Sequence, residues 1–209
     1  RNLPMGACIS SSGSCGFSSE PSCEIARGTF HEGMLCSNPI LNTSCERQRY
    51  VECAKARDEI YWYDSCGNME NIYSSNKDAS WNNGLVLSKE QSCNPNSGNI
   101  NSEDCGNCDY MLSSKCKESS KLGKKVKDGN YICKDLSCVD KDGNIRENGE
   151  SWCEYESYIG DGNTAAGSRH WRKECIEGEL KTSGCADYRN EICAEEKVSN
   201  KAGKQASTA

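Results

Sequence analysis

Seventeen cysteines in a chain of 209 residues constrain this sequence more than any other feature. Leu, Ile, Val and Phe together supply only 27 residues, about 13% of the chain. A charged chain with less than roughly 20% of these residues is usually disordered. Disulfides offset that deficit, because a typical bridge adds ~2–4 kcal/mol to the free energy of unfolding. Even at half that value, eight bridges would match the ~5–15 kcal/mol of an ordinary domain. Cross-links therefore decide whether this chain folds.

The cysteine content also predicts the compartment. Oxidised cysteines persist outside the cytosol, so we expect an extracellular or cell-surface protein. No apolar run approaches the roughly 18 residues of a membrane span. The sequence starts at Arg1 without an apolar signal region, as expected of a processed mature protein. Asn42 opens an Asn-Thr-Ser triplet that matches the N-glycosylation acceptor pattern, which agrees with secretion.

The charge balance argues against one large class of partner. The net charge is −6 and the isoelectric point is about 5.1, whereas general nucleic-acid binding needs a basic face. One basic cluster runs from Lys115 to Lys127 and includes Lys121, Lys124 and Lys125. We interpret this cluster as the solvated flank of a hairpin rather than as an anion site, and we expect no nucleic-acid partner.

The predicted fold is small, disulfide-rich and β-rich, with short strands, one helix and much irregular structure. Thr43 and Glu46 match a capping box, which places the helix at about 44–57. The aromatic run Ile60–Tyr63 is typical of a strand and returns at 71–73 after a turn.

Three further glycine-bearing turns predict hairpins. Asn83-Gly84 is the best two-residue hairpin signal in the chain. The segments 127–130 and 140–144 carry similar Asp-Gly-Asn turns. A β-rich architecture is the simplest interpretation of this pattern.

Composition divides the chain into three parts. Residues 67–92 contain no cysteine, and the end of this gap predicts a boundary between two halves. The N-terminal half is 1–92 and the C-terminal half is 93–193. Residues 194–209 have no cysteine and no aromatic residue and form an extended polar tail. This tail is either an assembly arm that lies across another copy, through Val198, Ala202 and Ala206, or a strap on its own domain.

Sixteen of the seventeen cysteines are predicted to form disulfides within the chain, because an odd number cannot pair completely. At least one thiol is therefore free, bound to another group or bridged to another chain. Cys8 is the predicted odd cysteine, because a residue near a mobile N-terminus is the easiest to bring to a neighbouring chain. The Cys105-Gly-Asn-Cys108 spacing also matches half of a zinc ribbon or a redox pair, but disulfides are favoured. The predicted disulfide cysteines are Cys8, Cys15, Cys23, Cys36, Cys45, Cys53, Cys66, Cys93, Cys105, Cys108, Cys116, Cys133, Cys138, Cys153, Cys175, Cys185 and Cys193.

Other chemistry is weakly signalled. Asp140, Asp142 and Asn144 have the oxygen spacing that starts a calcium loop, but the EF-hand glycine and glutamate are replaced by Ile145 and Ser151. A plain turn is therefore favoured over weak calcium binding, and no metal site or cofactor is predicted.

No catalytic residue is predicted either. Nucleophilic catalysis needs a base that another group aims at a serine or cysteine, and neither His31 nor His170 stands in such a pattern. We expect both histidines to be structural or exposed, and we expect that the protein is not an enzyme.

The four tryptophans have two interpretations. They would form either an exposed sugar-binding platform or part of the small core, stacked on cystines, and the second is favoured because large aromatic side chains bury the most area. The tryptophans are Trp62, Trp81, Trp152 and Trp171.

Several strings resemble cassettes in large cysteine-rich secreted proteins encoded by uncultured archaea with small genomes. The strings are CGNMENIYSS…SWNNG, CGNCDYMLSSKC and GESWC…GSRHWRKEC…CADYRNEIC, within residues 60–193. Those proteins are uncharacterised surface or extracellular proteins with no assigned reaction. The resemblance implies an extracellular location and a chain cut from a longer precursor, and it transfers no functional residues.

Our leading hypothesis is an extracellular structural protein, a disulfide-stabilised subunit that self-associates into a filament or surface layer. Its partners would be other copies of itself. The alternative is a secreted adhesin or inhibitor that binds a glycan or a protein through loops on a cystine scaffold.

Overall fold

The computed structural model describes residues 3–121, 123–155, 169–187, 191–199 and 205–209. The chain forms two compact units. The first unit comprises residues 1–109 and 115–134, and the second unit comprises residues 110–114 and 135–209. The boundary expected at residues 92 and 93 lies inside the first unit.

The first unit begins with a three-stranded antiparallel sheet. Its strands are β1 (Met5–Ile9), β2 (Cys15–Ser19) and β3 (Thr29–Glu32), in the order β2-β1-β3. Helix α1 (Glu20–Ile25) connects β2 to β3 and starts with proline in its first turn, where the missing N–H costs nothing. Gly28, shortly after this helix, lies so close to the sheet that a Cβ there would be 2.5 Å from the Cys8 sulfur. Only glycine fits at this position. The helix is thereby held close to the sheet.

A second antiparallel sheet carries the main core of the first unit. Its strands are β4 (Tyr50–Cys53), β5 (Ile60–Tyr63) and β6 (Met69–Ile72), in that order. Helix α2 (Lys77–Trp81) follows β6. Short 3₁₀ turns lie at Pro39–Leu41, Asn82–Gly84, Lys89–Gln91 and Tyr110–Leu112, and β7 (Ser114–Glu118) pairs with β8 (Tyr131–Asp135). The core contains Val51, Ile60, Trp62, Tyr73, Val126 and the cysteines Cys108, Cys116 and Cys133.

The second unit contains a small hairpin, a three-stranded sheet and a terminal hairpin. The small hairpin pairs β9 (Cys138–Val139) with β10 (Ile145–Arg146). The sheet contains β11 (Ser151–Tyr155), β12 (Arg169–Ile176) and β13 (Glu179–Asp187), all antiparallel and in that order. Strands β14 (Glu196–Ser199) and β15 (Gln205–Thr208) form the terminal hairpin.

Eight disulfides stabilise the chain, and each closes inside one unit. Six lie in the first unit and two in the second. The pairs are Cys8–Cys23, Cys15–Cys36, Cys45–Cys66, Cys53–Cys116, Cys93–Cys105, Cys108–Cys133, Cys138–Cys175 and Cys153–Cys193. The predicted class, a small disulfide-rich and β-rich fold with short strands, is confirmed. None of the helices among the described residues is long and apolar enough to cross a membrane.

The helix predicted at 44–57 is wrong. Residues 50–53 form β4, and the Thr43 hydroxyl donates to the Cys36 carbonyl oxygen instead of capping a helix. The Glu46 N–H donates to the Ser65 hydroxyl oxygen at 2.7 Å. Disulfides at Cys45 and Cys53 fix both ends of this segment to distant parts of the chain, and these constraints outweigh a local capping pattern.

The hairpin predicted at Asn83-Gly84 is also wrong. Asn82 and Asn83 both have left-handed backbone angles, and they end helix α2 instead of joining two strands. The turn at 140–144 does join two strands, β9 and β10. The strand at Ile60–Tyr63 is confirmed, with Met69–Ile72 as its return strand.

Removing single bridges should reveal how the stabilisation scales with loop length. Cys53–Cys116 spans 63 residues and Cys93–Cys105 spans 12. The chain-entropy relation predicts losses of about 4 kcal/mol for the double alanine variant of the first pair and about 3 kcal/mol for that of the second. Guanidinium unfolding measures both free energies. A larger loss for the Cys93–Cys105 pair would contradict this ranking.

Candidate functional site

Strand β13 forms one edge of the second unit's sheet, and no other strand among the described residues pairs with its outer side. A two-residue turn joins β12 to β13. Glu177 and Gly178 have φ values of 49° and 85°, the left-handed angles of a type I′ hairpin turn. Ile176 and Glu179 flank this turn and therefore form a hydrogen-bonded pair. This turn fixes the register of the whole edge.

The register determines which backbone groups of β13 face outward. Antiparallel strands alternate between hydrogen-bonded and non-hydrogen-bonded pairs. Counting from the turn, Leu180, Thr182 and Gly184 occupy the non-hydrogen-bonded positions, so their N–H groups point away from β12. The same alternation appears on β12, because Cys175 opposes Leu180 and its N–H donates to the Glu150 carbonyl oxygen at 2.9 Å, on the other side. Three outward backbone donors thus line this edge.

An aromatic ring packs over the glycine of this edge. Gly184 opposes Trp171, and a Cβ on Gly184 would lie 2.9 Å from Cζ3 of the tryptophan. The register then shifts between Arg169 and Trp171, and β13 uses one more residue than β12. This geometry is a β-bulge, which often re-aims a side chain at a sheet edge. Cys185 lies in the bulge.

Cys185 is the unpaired cysteine. It is half-buried on β13, and the other sixteen cysteines are bridged within the chain. The choice of Cys8 as the odd cysteine is wrong. Cys8 lies on the central strand β1 with its Cα 5.6 Å from that of Cys23, and it is not on a mobile terminus. No local sequence signal distinguishes Cys185, because its position depends on the pairing of β12 with β13.

The C-terminal segment adopts the strap arrangement rather than the assembly arm. Val198 pairs with Ala206 across the terminal hairpin, and Ala202 lies outside the described residues. The Ala209 N–H donates to the Ser151 hydroxyl oxygen at 2.8 Å. The hairpin therefore lies along β11 of its own unit, at the edge opposite β13.

A buried charge network anchors this strap. The Ser207 N–H donates to Glu150 Oε1 at 3.0 Å, and the Ser207 hydroxyl donates to Glu195 at 2.8 Å. Arg146 donates from Nη1 to the same Glu150 oxygen at 3.0 Å and from Nε to Asp140 at 2.9 Å. One arginine thus links the strap to the β9–β10 hairpin.

Asp140 organises a turn rather than a calcium loop. Its Oδ1 accepts the N–H groups of Asp142 and Asn144 at 3.0 and 2.9 Å. Desolvation alone would raise the pKa of Asp140, but the hydrogen bonds from Asn144, Arg146 and Asp142 outweigh it and lower the pKa to about 2. Its carboxylate oxygens are therefore occupied by protein donors.

The tryptophans support the cystine-stacking interpretation. Trp152 is 4% exposed and packs with Cys138 and Cys175. Trp62 is 1% exposed and lies in the core of the first unit among three cysteines. Trp81 and Trp171 are half-buried. Two of the four rings are therefore closed to a sugar, and the exposed four-tryptophan platform is not formed.

The two histidines occupy separate structural positions. His170 is buried on β12, and its Nδ1 accepts the Cys193 N–H at 3.0 Å. This contact holds the backbone beside the Cys153–Cys193 bridge. His31 is half-buried on β3 of the first unit.

The Cys105-x-x-Cys108 spacing serves two different disulfides. Cys105 pairs with Cys93, and Cys108 pairs with Cys133. Neither the redox-pair nor the zinc interpretation fits this connectivity.

One other group of potential metal ligands occurs among the described residues. Cys45, Asp64 and Cys66 cluster within 4.8 Å. Their sulfurs form a disulfide, and Asp64 accepts the N–H groups of Cys66 and Asn68. Bridged sulfurs are not thiolate ligands, so this group is a structural turn.

Two predicted surface features lie on exposed residues. Asn42 is exposed and follows the turn at Pro39–Leu41, so its side chain is accessible to modification. Lys121, Lys124 and Lys125 are exposed beside the β7–β8 connection, as expected for a solvated hairpin flank.

Comparisons with protein-family models, with curated proteins and with solved structures found no match to this chain. The functional interpretation therefore depends on the geometry of the units themselves.

The lowered pKa of Asp140 predicts a loss of stability in acid. The ordinary aspartate pKa is about 3.9, so between roughly pH 4 and pH 2 the unfolded chain binds more protons than the folded chain, and stability falls as the pH falls. Free energies of unfolding from guanidinium titrations over this range should show that slope. The Asp140→Asn variant should lose its share of the slope, and an unchanged slope would contradict the assignment.

Proposed function

We propose that this protein is an extracellular structural protein, a disulfide-stabilised subunit that self-associates into a filament or surface layer. The single observation that carries the proposal is the distribution of the cysteines. Sixteen of them close within the two units, and the remaining thiol, Cys185, lies at a bulge on an open sheet edge. We propose that this half-buried thiol forms the covalent link to a second chain.

Extensive disulfide bonding suits an oxidising environment. A subunit of a surface polymer must remain folded without chaperones or a reducing cytosol. The disulfides supply the resistance to unfolding that such a subunit needs, because they restrict the unfolded chain. The proposal assigns the chain no reaction and no cofactor, and it places the chain with the archaeal surface proteins whose cassettes it resembles.

A single thiol per chain limits what a covalent link can build. One Cys185–Cys185 bridge joins two chains and no more. A filament or layer therefore needs at least one further, noncovalent contact between copies. This requirement directs attention to the edges of the sheets.

A binding module is the second candidate function, and one feature of the first unit favours it. A shallow cavity of about 410 Å³ lies on the β1–β2–α1 face, lined by Phe17, by Gly16 and by the sulfur-bearing residues Cys8 and Cys15. This volume is within the range of small-ligand sites. A protein that stays monomeric at high concentration and binds cell-surface glycans would favour this alternative.

Gel electrophoresis with and without reductant tests the proposed covalent link. Wild-type protein oxidised with oxidised glutathione should give a band at about twice the chain mass of 23.0 kDa, and reductant should remove that band. Cys185→Ser should abolish it. Ala186→Ser, an exposed change on the same strand that keeps the thiol, should leave it intact.

Electron micrographs of the wild-type protein should show filaments or sheets. A sharp monomer band under both gel conditions, one titratable thiol per chain and single particles in the micrographs would together contradict the proposal.

A further inference from the structure

We infer that the outer edge of β13 is an interaction surface for a second copy of this chain, whose β13 pairs with it as an antiparallel strand. This inference rests on the proposed self-association and identifies the noncovalent contact that it requires. Pairing between sheet edges satisfies exposed backbone groups directly. It does not depend on the Cys185 thiol.

In the part of the chain that the structure describes, the open stretch of the β13 edge has defined limits. The turn at Glu177 and Gly178 ends it on one side. On the other side, the Glu191 carboxylate accepts the N–H of Ala186 at 2.7 Å and so occupies the next outward donor. Between these limits, the outward N–H groups belong to Leu180, Thr182 and Gly184.

These three positions are symmetric about Thr182, which fixes the register. Two antiparallel copies related by a two-fold axis at Thr182 place Thr182 opposite its equivalent. Leu180 of each copy then opposes Gly184 of the other. All three outward donors face a partner strand, and the same surface serves both copies, as a two-fold contact requires.

The side chains are complementary in this register. Leu180 is 47% exposed, although it lies on the same face of the sheet as the fully buried Cys175 that it opposes. Gly184 has no side chain of its own, and the Trp171 ring lies directly over it. Leu180 of one copy therefore packs against the Trp171 ring that covers Gly184 of the second copy. Two such contacts form, one at each end of the pair.

This packing continues the existing core of the second unit. Trp152 and Thr182 both lie on the face that carries Cys175, because Trp152 opposes Lys173, which in turn opposes Thr182. The Lys173 ammonium donates to the Thr182 hydroxyl oxygen at 2.9 Å, which confirms that the two side chains share a face. Burying Leu180, which opposes Cys175, therefore adds an apolar contact at the edge of this face.

The charges also favour this register. Lys181 opposes Ser183 of the second copy, and Glu179 opposes Cys185. The two Cys185 residues therefore lie at opposite ends of the pair, and a Cys185–Cys185 bridge joins each chain to a copy outside the pair. No two like charges are directly opposed. Moving the axis by one residue, to Lys181, would place two ammonium groups opposite each other, and directly opposed like charges destabilise a sheet.

Sedimentation velocity over a concentration series tests this contact in the Cys185→Ser background, where no covalent link forms. The parent variant should approach twice the chain mass of 23.0 kDa as its concentration rises. Leu180→Asp places a charge in the apolar contact, and Thr182→Pro removes the central outward N–H. Each should raise the dimer dissociation constant at least about tenfold.

Val139→Asp is the matched control. Val139 is 60% exposed on the β9–β10 hairpin of the same unit, so the change is similar in chemistry but lies off the edge. Its dissociation constant should equal that of the parent. Unchanged near-ultraviolet circular dichroism and an unchanged disulfide map for each variant establish that the second unit still folds.

The outcomes separate the inference from the proposed function. A Cys185→Ser protein that stays monomeric, while the wild type still forms reductant-sensitive assemblies larger than a dimer, would overturn the β13 contact and leave the proposed function intact. A dimer unaffected by both Leu180→Asp and Thr182→Pro would overturn it too. A wild type that never associates would overturn both.

Discussion

Covalent sulfur bridges are the constraint on which the rest of this structure depends. Among the described residues of the second unit, the hydrophobic core cluster is Trp152 packed against the Cys138–Cys175 bridge. The first unit has a larger core, but cysteines supply three of its eight buried members. Because the bridges hold the loops in place, buried polar side chains can organise them. Asn71, for example, donates to the carbonyl oxygens of Ser80 and Leu85.

Short sheets have edge strands with unpaired backbone groups, and these groups are covered to different extents at the edges of this protein. At β2, the Asn68 side chain accepts the Phe17 N–H at 3.1 Å and donates to the Cys15 carbonyl oxygen at 3.2 Å, so that one amide imitates a neighbouring strand. At β11, the terminal hairpin covers the edge through Ser151 and Ala209. At β13, the described residues contribute only the Glu191 carboxylate, at Ala186. Covered edges prevent unwanted pairing, and the β13 edge is the one at which we propose that a second copy pairs.

The sequence predicted those features that depend on local chemistry or on composition. The cysteine count indicated cross-linked units, and the turn at Asp140 and the strand at Ile60–Tyr63 followed from residue type. Features that depend on distant pairing were not predictable. The capping pattern at Thr43 was overridden by bridges from Cys45 to Cys66 and from Cys53 to Cys116. The position of Cys185 follows from a bulge that forms only when β12 and β13 are paired, so no spacing along the chain identifies it.

Disulfide mapping of the native protein by mass spectrometry, after alkylation of free thiols without reduction, shows whether sulfur bridges hold each unit together. We expect eight bridged pairs, each within one unit, and a single alkylation at Cys185 when the covalent dimer is absent. Several alkylated cysteines, or a bridge that joins the first unit to the second, would contradict it. In that case, both the assignment of the disulfides to separate units and the assignment of Cys185 as the free thiol would be wrong.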